Sequence, residues 1–232
     1  MTIVILFFLL ILTITMGIPV AFGIGIASLA TLFLMENIPL NLVVTKMFSG
    51  LDSFSLMAIP LYILAGELLN GGGLTERIVA FARSLVGHIR GGLAHVNVVA
   101  SMLFGGVSGS SSADTAAVGS VLIPAMQKAG YDKDFSISVT VSSSTIGNII
   151  PPSILMVLYG SLTNVSIGKL FLGGLIPGIL IGVLQMVTNQ IICYVRDYKE
   201  KDVFKWKEVF TNGIKASGAL LVPFIIIGGI AF

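Results

Sequence analysis

Long apolar stretches alternate with short polar ones along this chain of 232 residues. Residues 2–35 carry no charged side chain, and later, predominantly apolar runs cover residues 54–69, 91–127, 135–163, 170–195 and 216–232. About 20 apolar residues are enough to cross the hydrocarbon core of a bilayer as a helix. The pattern therefore predicts an all-α polytopic membrane protein.

The first apolar run is longer than one crossing requires and is interrupted in its middle. Gly17 permits a turn and Pro19 removes a backbone donor, which leaves two apolar pieces of about 15 residues each. Either one kinked helix or a tight hairpin of two short helices fits this pattern. No Lys or Arg precedes Lys46, whereas a secretory signal peptide needs a basic start, so we expect the run to stay with the protein.

A second long run, between Arg90 and Lys128, is predicted to fold back on itself. It contains 37 residues, among which Asp114 is the only charged one. A straight helix of that length would measure about 55 Å, whereas the hydrocarbon core is about 30 Å thick. The most polar and glycine-rich part extends from Gly105 to Asp114. We place the reversal there, so that both ends of the run lie on one side.

Basic residues predict which side that is. They flank the run at both ends, as Arg77, Arg83, Arg90, Lys128 and Lys133. Because cytoplasmic loops are enriched in Lys and Arg, the hairpin should open towards the cytoplasm. The basic stretch 196–215 falls on the same side after two further crossings. Apolar residues at helical spacing over 74–89 and 206–214 predict two helices lying on the membrane surface.

Composition excludes several other classes of protein. The chain is 55% hydrophobic and 10% charged, with a mean hydropathy of +1.01, where a soluble domain carries roughly a quarter charged residues. A net charge of +2 is too small for a nucleic-acid surface. The single cysteine, Cys193, cannot form an internal disulfide or a cysteine-based metal cluster.

Two polar segments interrupt the apolar runs at membrane depth, where non-helical backbone is tolerated only if it is buried in protein or lines a wet cavity. The first is the hairpin tip, with Ser108, Ser110, Ser111, Ser112, Asp114 and Thr115. The spacing of Ser111 and Asp114 is that of a capping box, so a helix should start near Ser111. Its N–H groups could hold an anion, and the unwound carbonyls before it a small cation. A serine-rich turn that only caps the helix is the alternative.

The second polar segment extends from Ser142 to Ser153. Pro151 and Pro152 have no N–H groups, so the carbonyls of Gly147 and Asn148 lose their usual helical donors. Oxygen ligands without a nearby cluster of His, Cys or carboxylate side chains favour a hard, weakly bound ion such as sodium. A proline kink repaired by serine hydroxyls is the alternative.

Four stretches resemble a known family, the large membrane subunit of tripartite ATP-independent periplasmic (TRAP) transporters. They are MGIPVAFGIGIASL from Met16, IPLYILAGELLNGGGLTERI from Ile59, GGVSGSSSADTAAVGSVLIPAMQKAGYDKDF from Gly105 and TIGNIIPPSI from Thr145. The sequence departs from that family at Asn148, where proline is usual, and in length, since family members are nearly twice as long.

The resemblance implies an elevator-type ion-transporter fold, of which this chain holds the first inverted repeat, with one re-entrant helical hairpin and one broken helix. The implied parts begin with scaffold helices over 1–73 and an amphipathic arm helix over 74–90. The transport-domain half 91–165 follows, with the hairpin over 91–127 and the broken helix over 134–165. The remaining parts are a transmembrane helix over 166–195, a cytoplasmic amphipathic connection over 196–215 and the truncated start of a second repeat over 216–232. The resemblance also favours the tight turn at Gly17 and a periplasmic N-terminus.

The function implied by the resemblance is sodium-coupled import of an organic anion across the bacterial inner membrane. A periplasmic binding protein would deliver the anion, such as a C4-dicarboxylate or sialic acid, and a small four-helix membrane subunit would be a permanent partner. Membrane lipid surrounds such a protein, nucleic acid is no partner, and the family is not enzymatic. Sodium is the implied coupling ion, and no other cofactor is expected.

The resemblance also carries site residues onto this sequence. Ser108 and Ser111 at the tip, with Gly147, Ile150 and Pro152 in the second break, are the implied sodium ligands, largely through backbone oxygen. Asp114 either ligates sodium too or only caps the helix. Candidates for binding the substrate's carboxylate are Ser110, Ser112, Thr145 and Asn148.

Three other interpretations concern Glu67, the sequence of the hairpin tip and the chain as a whole. Glu67 near the Gly71 turn is more typical of an interfacial carboxylate than of a coupling site. Gly106 to Gly109 spell GxSG, which resembles the nucleophile motif of rhomboid intramembrane proteases, but no histidine follows Ser108 to act as its base. The third alternative is that the chain is an inert, truncated structural half.

Overall fold

The computed structural model describes residues 2–35, 39, 41–52, 54–199 and 201–231. Every regular element within those residues is a helix, which confirms the all-α prediction for the described part of the chain. The helices are α1 (Thr2–Thr15), α2 (Val20–Phe33), α3 (Asn41–Leu51), α4 (Phe54–Gly71), α5 (Leu74–Val86), α6 (Gly92–Ser108), α7 (Ser111–Lys128), α8 (Lys133–Ser144), a 3₁₀ turn (Thr145–Asn148), α9 (Ile154–Thr163), α10 (Ile167–Val195) and α11 (Trp206–Ala231).

The chain forms two compact units, residues 1–53 and 54–232. In the first unit, α1 and α2 pack against each other across a turn in which Gly17 has φ of +78°. Gly23 lies so close to Thr13 that an added Cβ would be 2.8 Å from the Thr13 hydroxyl oxygen. The run 2–35 is therefore a tight hairpin of two short helices, not one kinked helix. The sequence does not predict helix α3, because residues 41–51 are too polar for a membrane-spanning helix.

The second unit is built around α6, which is buried along nearly its whole length. Helices α5, α7, α8 and α10 all pack on it, and its large side chain Phe104 lies among Leu122 and Val118 of α7 in one core cluster. By contrast, α10 presents large apolar side chains outwards, and Ile176 is 76% exposed. Among the described residues, Ile167–Val195 and Trp206–Gly228 are long and apolar enough to cross a membrane. A protein with its apolar surface outside is suited to lipid.

Helix α5 lies within residues 74–89, for which the sequence predicts a helix at the membrane surface. Its apolar side chains Ile78 and Ala82 are fully buried, and the helix packs on α6 and α11. The amphipathic spacing was read correctly as helix, but periodicity does not tell whether lipid or protein covers the apolar face. Here protein covers it, and the location of the helix at the membrane surface stays a prediction.

Helix α11 runs without a break from Trp206 to Ala231, across the predicted boundary between residues 215 and 216. The predicted second surface helix and the following apolar segment are thus one helix. Its aromatic side chains Trp206 and Phe210 are 77% and 72% exposed. The change from polar to apolar residues near position 215 occurs within this one helix and does not mark the start of a new one.

Ion pairs fasten the non-helical connection between α10 and α11 to the rest of the second unit. Arg83 of α5 donates two hydrogen bonds to Asp202, at 2.6 and 3.0 Å. Arg196 donates to Asp132 at 2.8 Å, and Arg90 pairs with Asp197. These contacts bring the arginines that precede the hairpin and the basic stretch that follows α10 to the same end of the unit, which is the arrangement expected from the charge pattern.

The Arg83–Asp202 pair predicts a pH-dependent contribution to stability. Hydrogen bonds from Arg83, with its positive charge, lower the pKa of Asp202, so the pair stabilises the fold above the unfolded-state value of about 3.9 and is lost as the pH falls through the lowered value. We expect Asp202→Asn to be less stable than the parent at pH 7 by less than about 1 kcal/mol, because the pair is partly exposed. Thermal unfolding at pH 7 and pH 3 measures this, and the difference should shrink at pH 3.

The exposed Asp52 offers a control, since Asp52→Asn removes the same charge from a residue that belongs to none of the ion pairs named above. Equal losses for the two variants, or a loss that grows on acidification, would contradict the assignment of this stability to the pair.

Candidate functional site

The hairpin tip is a two-residue break between α6 and α7. Gly109 has φ of +62°, a left-handed conformation that suits glycine. Ser110 is extended, and its hydroxyl accepts a hydrogen bond from the Ala113 N–H at 3.5 Å. The predicted helix start at Ser111 is confirmed, but the predicted Ser111–Asp114 capping box is wrong. The capping residue is Ser110, one position earlier, and Asp114 is the fourth residue of the helix, within its first turn.

The second break separates α8 from α9. The 3₁₀ turn tightens the chain after Ser144, and residues 149–153 are not helical. The Ser153 hydroxyl donates to the Asn148 carbonyl at 2.7 Å. One of the two carbonyls predicted to be free is therefore satisfied by a serine, as in the alternative of a repaired proline kink. The interruption itself is larger than a kink, because it takes up residues 145–153.

The two breaks lie against each other. The Ser111 N–H donates to the Asn148 side-chain oxygen at 3.0 Å, and the Asn148 side-chain nitrogen donates to the Ser111 hydroxyl, also at 3.0 Å. The Ile154 N–H donates to the Gly109 carbonyl at 3.2 Å. Asn148 thus joins the tip to the second break through a side chain that both donates and accepts, which a proline could not do.

Glycines make this close approach possible. A Cβ added to Gly105 would lie 2.5 Å from the Cα of Gly147, and one added to Gly109 would lie 2.8 Å from the Pro152 carbonyl oxygen. On the opposite side, a Cβ added to Gly178 of α10 would lie 2.5 Å from Ile150. Small residues at helix interfaces let backbones come together in this way. The second break is held between α6 and α10 with no room for larger side chains.

The five residues predicted to hold sodium belong to these two facing segments. Ser108 is 4% exposed, Gly147, Ile150 and Pro152 are buried, and Ser111 is half-buried. The Ser108 hydroxyl lies 3.4 Å from the Ser110 carbonyl oxygen. The donor set that these residues can offer consists of backbone carbonyls and hydroxyls, which fits a hard monovalent cation.

The four residues predicted to bind the substrate's carboxylate do not lie together. Ser110 and Ser112 line a cavity of about 600 Å³, and their hydroxyl oxygens are 3.0 Å apart. The side chain of Asn148 is engaged with Ser111. Thr145 is exposed and donates to the Ser142 carbonyl at 2.7 Å, and neither it nor Asn148 lines this cavity.

Glu67 lies in the wall of the same cavity, a position that sequence reasoning missed. The neighbouring Gly66 packs on the hairpin tip, since an added Cβ would be 3.7 Å from the Ser108 Cα. Glu67 is exposed and lines the cavity together with Ser110 and Ser112. The available signal was Gly66, a small residue that lets α4 approach another backbone.

Asp114 is fully buried, and neither carboxylate oxygen has a well-formed hydrogen bond. Its polar neighbour is Ser101 of α6. Ser101 belongs to a buried polar network, in which its hydroxyl lies 3.0 Å from that of Ser143, and Ser143 donates to Asn97 at 3.1 Å. The carboxylate thus points into a polar part of the core and not at the N-terminal N–H groups of α7.

The protease interpretation finds no support in the surroundings of Ser108. The chain has two histidines. The Nε2 atom of His95 is hydrogen-bonded to the side-chain oxygen of Gln190 at 2.9 Å. The His88 ring packs on the Phe204 ring, with centroids 4.9 Å apart. Both histidines make these contacts away from Ser108, so the GxSG match is a feature of the turn.

Comparison with known proteins adds the family. The sequence profile described as "Tripartite ATP-independent periplasmic transporter, DctM component" matches residues 6–232. The sialic acid TRAP transporter large permease protein SiaM of Vibrio cholerae is 44% identical over 214 residues, which are 92% of this chain and 50% of that protein. The chain belongs to the DctM family of TRAP transporter permeases.

Two further relatives show the range of the family. The C4-dicarboxylate TRAP transporter large permease protein DctM of Vibrio cholerae is 39% identical to this permease over 231 residues, 99% of this chain and 51% of the relative. The sialic acid TRAP transporter permease protein SiaT of Haemophilus influenzae is 44% identical over 214 residues, 92% of this chain and 35% of the relative. The chain spans about half the length of the large permease proteins it matches. Its family consists of integral membrane transporters, not enzymes.

Proposed function

We propose that this permease sequence forms one half of a sodium-coupled carrier that imports an organic anion. The observation that carries the proposal is the contact between two non-helical breaks, made by Ser111 and Asn148 at 3.0 Å. Non-helical backbone at membrane depth is expensive unless it serves a buried site. Two such segments facing each other are typical of the ion and substrate sites of secondary transporters.

Sodium would be held between the tip and the second break, by Ser108, Ser111, Gly147, Ile150 and Pro152. These residues belong to the two segments that face each other and offer oxygen atoms where glycines bring backbone against backbone. We propose Asp114 as an additional cation-binding group that acts from the Ser101 side of the same helix start. Neither carboxylate oxygen has a well-formed hydrogen bond to an N–H group of α7, which argues against a capping role.

The anion would enter the cavity lined by Ser110 and Ser112. Their hydroxyls and the N-terminus of α7 offer donors to a carboxylate. The names of the relatives include sialic acid and C4-dicarboxylates, so organic acids are the cargo class we propose. Thr145 and Asn148 remain predicted contacts, which would need the second break to rearrange around the cargo.

The remaining parts of the transport system are proposed from the family. A periplasmic binding protein would deliver the anion and a small membrane subunit would accompany the permease in the bacterial inner membrane. We propose that α6 to α9 move as a re-entrant hairpin and broken helix across the bilayer, in an elevator mechanism, with the hairpin opening towards the cytoplasm and the N-terminus in the periplasm.

Replacement of both tip hydroxyls tests the sodium assignment. In proteoliposomes with the complete permease, its membrane subunit and its binding protein, we expect the double variant Ser108→Ala, Ser111→Ala to need roughly tenfold more sodium for half-maximal uptake. Two ligand hydroxyls are lost while the backbone carbonyls remain, and tenfold corresponds to about 1.4 kcal/mol. Uptake of labelled organic acid at a series of sodium concentrations gives this value.

The matched control is the double variant Ser120→Ala, Ser217→Ala. Both residues are exposed, and each hydroxyl donates to a carbonyl of its own helix, at 2.8 and 2.7 Å. This control should keep the parent's sodium dependence. If the tip variant also kept it, the sodium assignment would be wrong.

A further inference from the structure

We propose that Glu67 is a charge filter in the anion cavity, which restricts the cargo to anions with a single carboxylate and with hydroxyl or N–H groups at the other end. This inference rests on the proposed function and narrows its substrate class. The observation behind it is a carboxylate side chain in the lining of the same cavity as the serines that would bind the cargo's own carboxylate.

The cavity has two chemically different walls. The hairpin tip contributes Ser108, Ser110 and Ser112 to its lining, and α4 contributes Ile63, Gly66 and Glu67. Contact between Gly66 and the Ser108 backbone holds α4 against the tip. Glu67, the next residue, is therefore placed at the cavity by the packing of its own helix.

The charge in the described lining of this cavity is negative. Among the described residues that line it, Glu67 is charged and none is Lys or Arg. The cargo's carboxylate would be met by hydroxyls and by the N-terminus of α7, which carries a partial positive charge. The opposite end of the cargo would meet a negative charge.

Because the cavity is small, the negative charge of Glu67 repels a second carboxylate on the cargo. A cavity of about 600 Å³ is roughly 10 Å across, so a second carboxylate on the cargo would come within about 5–8 Å of Glu67. At an effective dielectric constant of about 20, repulsion at that distance weakens binding by one to two orders of magnitude. A C4-dicarboxylate would be disfavoured on this ground.

The same carboxylate favours a different cargo end. An ionised glutamate accepts hydrogen bonds and cannot donate them, and hydrogen bonds to a charged group are stronger than neutral ones. Hydroxyl and amide N–H groups supply the donors that Glu67 needs. The chemistry of the wall thus selects hydroxylated or amide-bearing monocarboxylates, such as sugar acids.

Direct binding to the complete permease with its membrane subunit tests this, because it separates the permease from the selectivity of the binding protein. The probes are sialic acid, a monocarboxylate rich in hydroxyls, and succinate, a dicarboxylate, titrated by calorimetry in sodium. We expect the parent to bind sialic acid more tightly than succinate. In Glu67→Gln the ratio of the two dissociation constants should shift at least tenfold towards succinate, mainly through tighter succinate binding.

Glu76→Gln is the matched control, since Glu76 is exposed on the neighbouring helix and does not line the cavity. It should leave the ratio unchanged. Binding of both anions with an unchanged ratio in Glu67→Gln, or a parent that prefers succinate, overturns the charge filter alone. Binding of neither anion to any variant overturns the proposed anion site, and the filter with it.

Discussion

Gly105→Ala is expected to reduce sodium-driven uptake by the complete permease at least about 100-fold. The added methyl group would lie 2.5 Å from the Cα of Gly147, which is backbone and cannot rotate away as a flexible side chain can. Either α6 or the second break must shift by about 1 Å, and displacements of that size at a reacting or binding site typically cost two orders of magnitude. Uptake rates at saturating sodium measure the loss.

Gly25→Ala is the control for this substitution. It also adds one methyl group to a helical glycine, but among the described residues nothing outside the neighbouring backbone of its own helix lies within 4 Å of the added carbon. We expect full uptake from it. Thermal unfolding of Gly105→Ala shows whether the protein still folds, and a folded variant with parental uptake would contradict the requirement for contact between the two breaks.

Both breaks could be predicted from the sequence because their causes are local. Gly109 permits a left-handed conformation, a serine caps the following helix, and Pro151 and Pro152 remove two backbone donors. Each of these effects acts within a few residues of its cause, so no tertiary information is needed. The tight turn at Gly17 follows from the same kind of local chemistry.

The partners of the breaks could not be predicted, because they depend on how distant segments pack. Asn148 and Ser111 are 37 positions apart, and only the packing of glycines brings them together. The same limit applies to Glu67, which looked interfacial from its distance to the Gly71 turn. The polarity and spacing of residues predict the local structure and the kind of environment that a side chain favours. They do not predict which distant residues it contacts in the folded protein.

Helices α5 and α11 show this limit in another form. The amphipathic spacing of α5 predicts a helix but does not tell what covers its apolar face, and in the structure protein covers it. The polar first turns of α11 were assigned to a separate element, and the helix simply continues. A bilayer and a protein core accept the same side chains, so hydrophobic patterns predict the helices of a membrane protein better than their neighbours.

Asp114→Asn is expected to raise the sodium concentration for half-maximal uptake roughly 100-fold. A fully buried carboxylate without a well-formed hydrogen bond is costly in a membrane protein, and such groups mark ion pathways or binding sites. If Asp114 helps to hold the cation, its loss removes a buried charge partner, which typically costs about 3 kcal/mol. Asparagine has nearly the same shape, so packing in the core is kept.

Stability separates this role from a purely structural one. Because the variant no longer buries an uncompensated charge, we expect Asp114→Asn to be at least as thermally stable as the parent without sodium, and to gain less from added sodium. Asp134→Asn, which changes an exposed carboxylate in the first turn of α8, should match the parent in both respects. An Asp114→Asn permease that unfolds earlier in the absence of sodium, yet keeps the parent's sodium dependence, would show that this carboxylate supports the fold and not the ion.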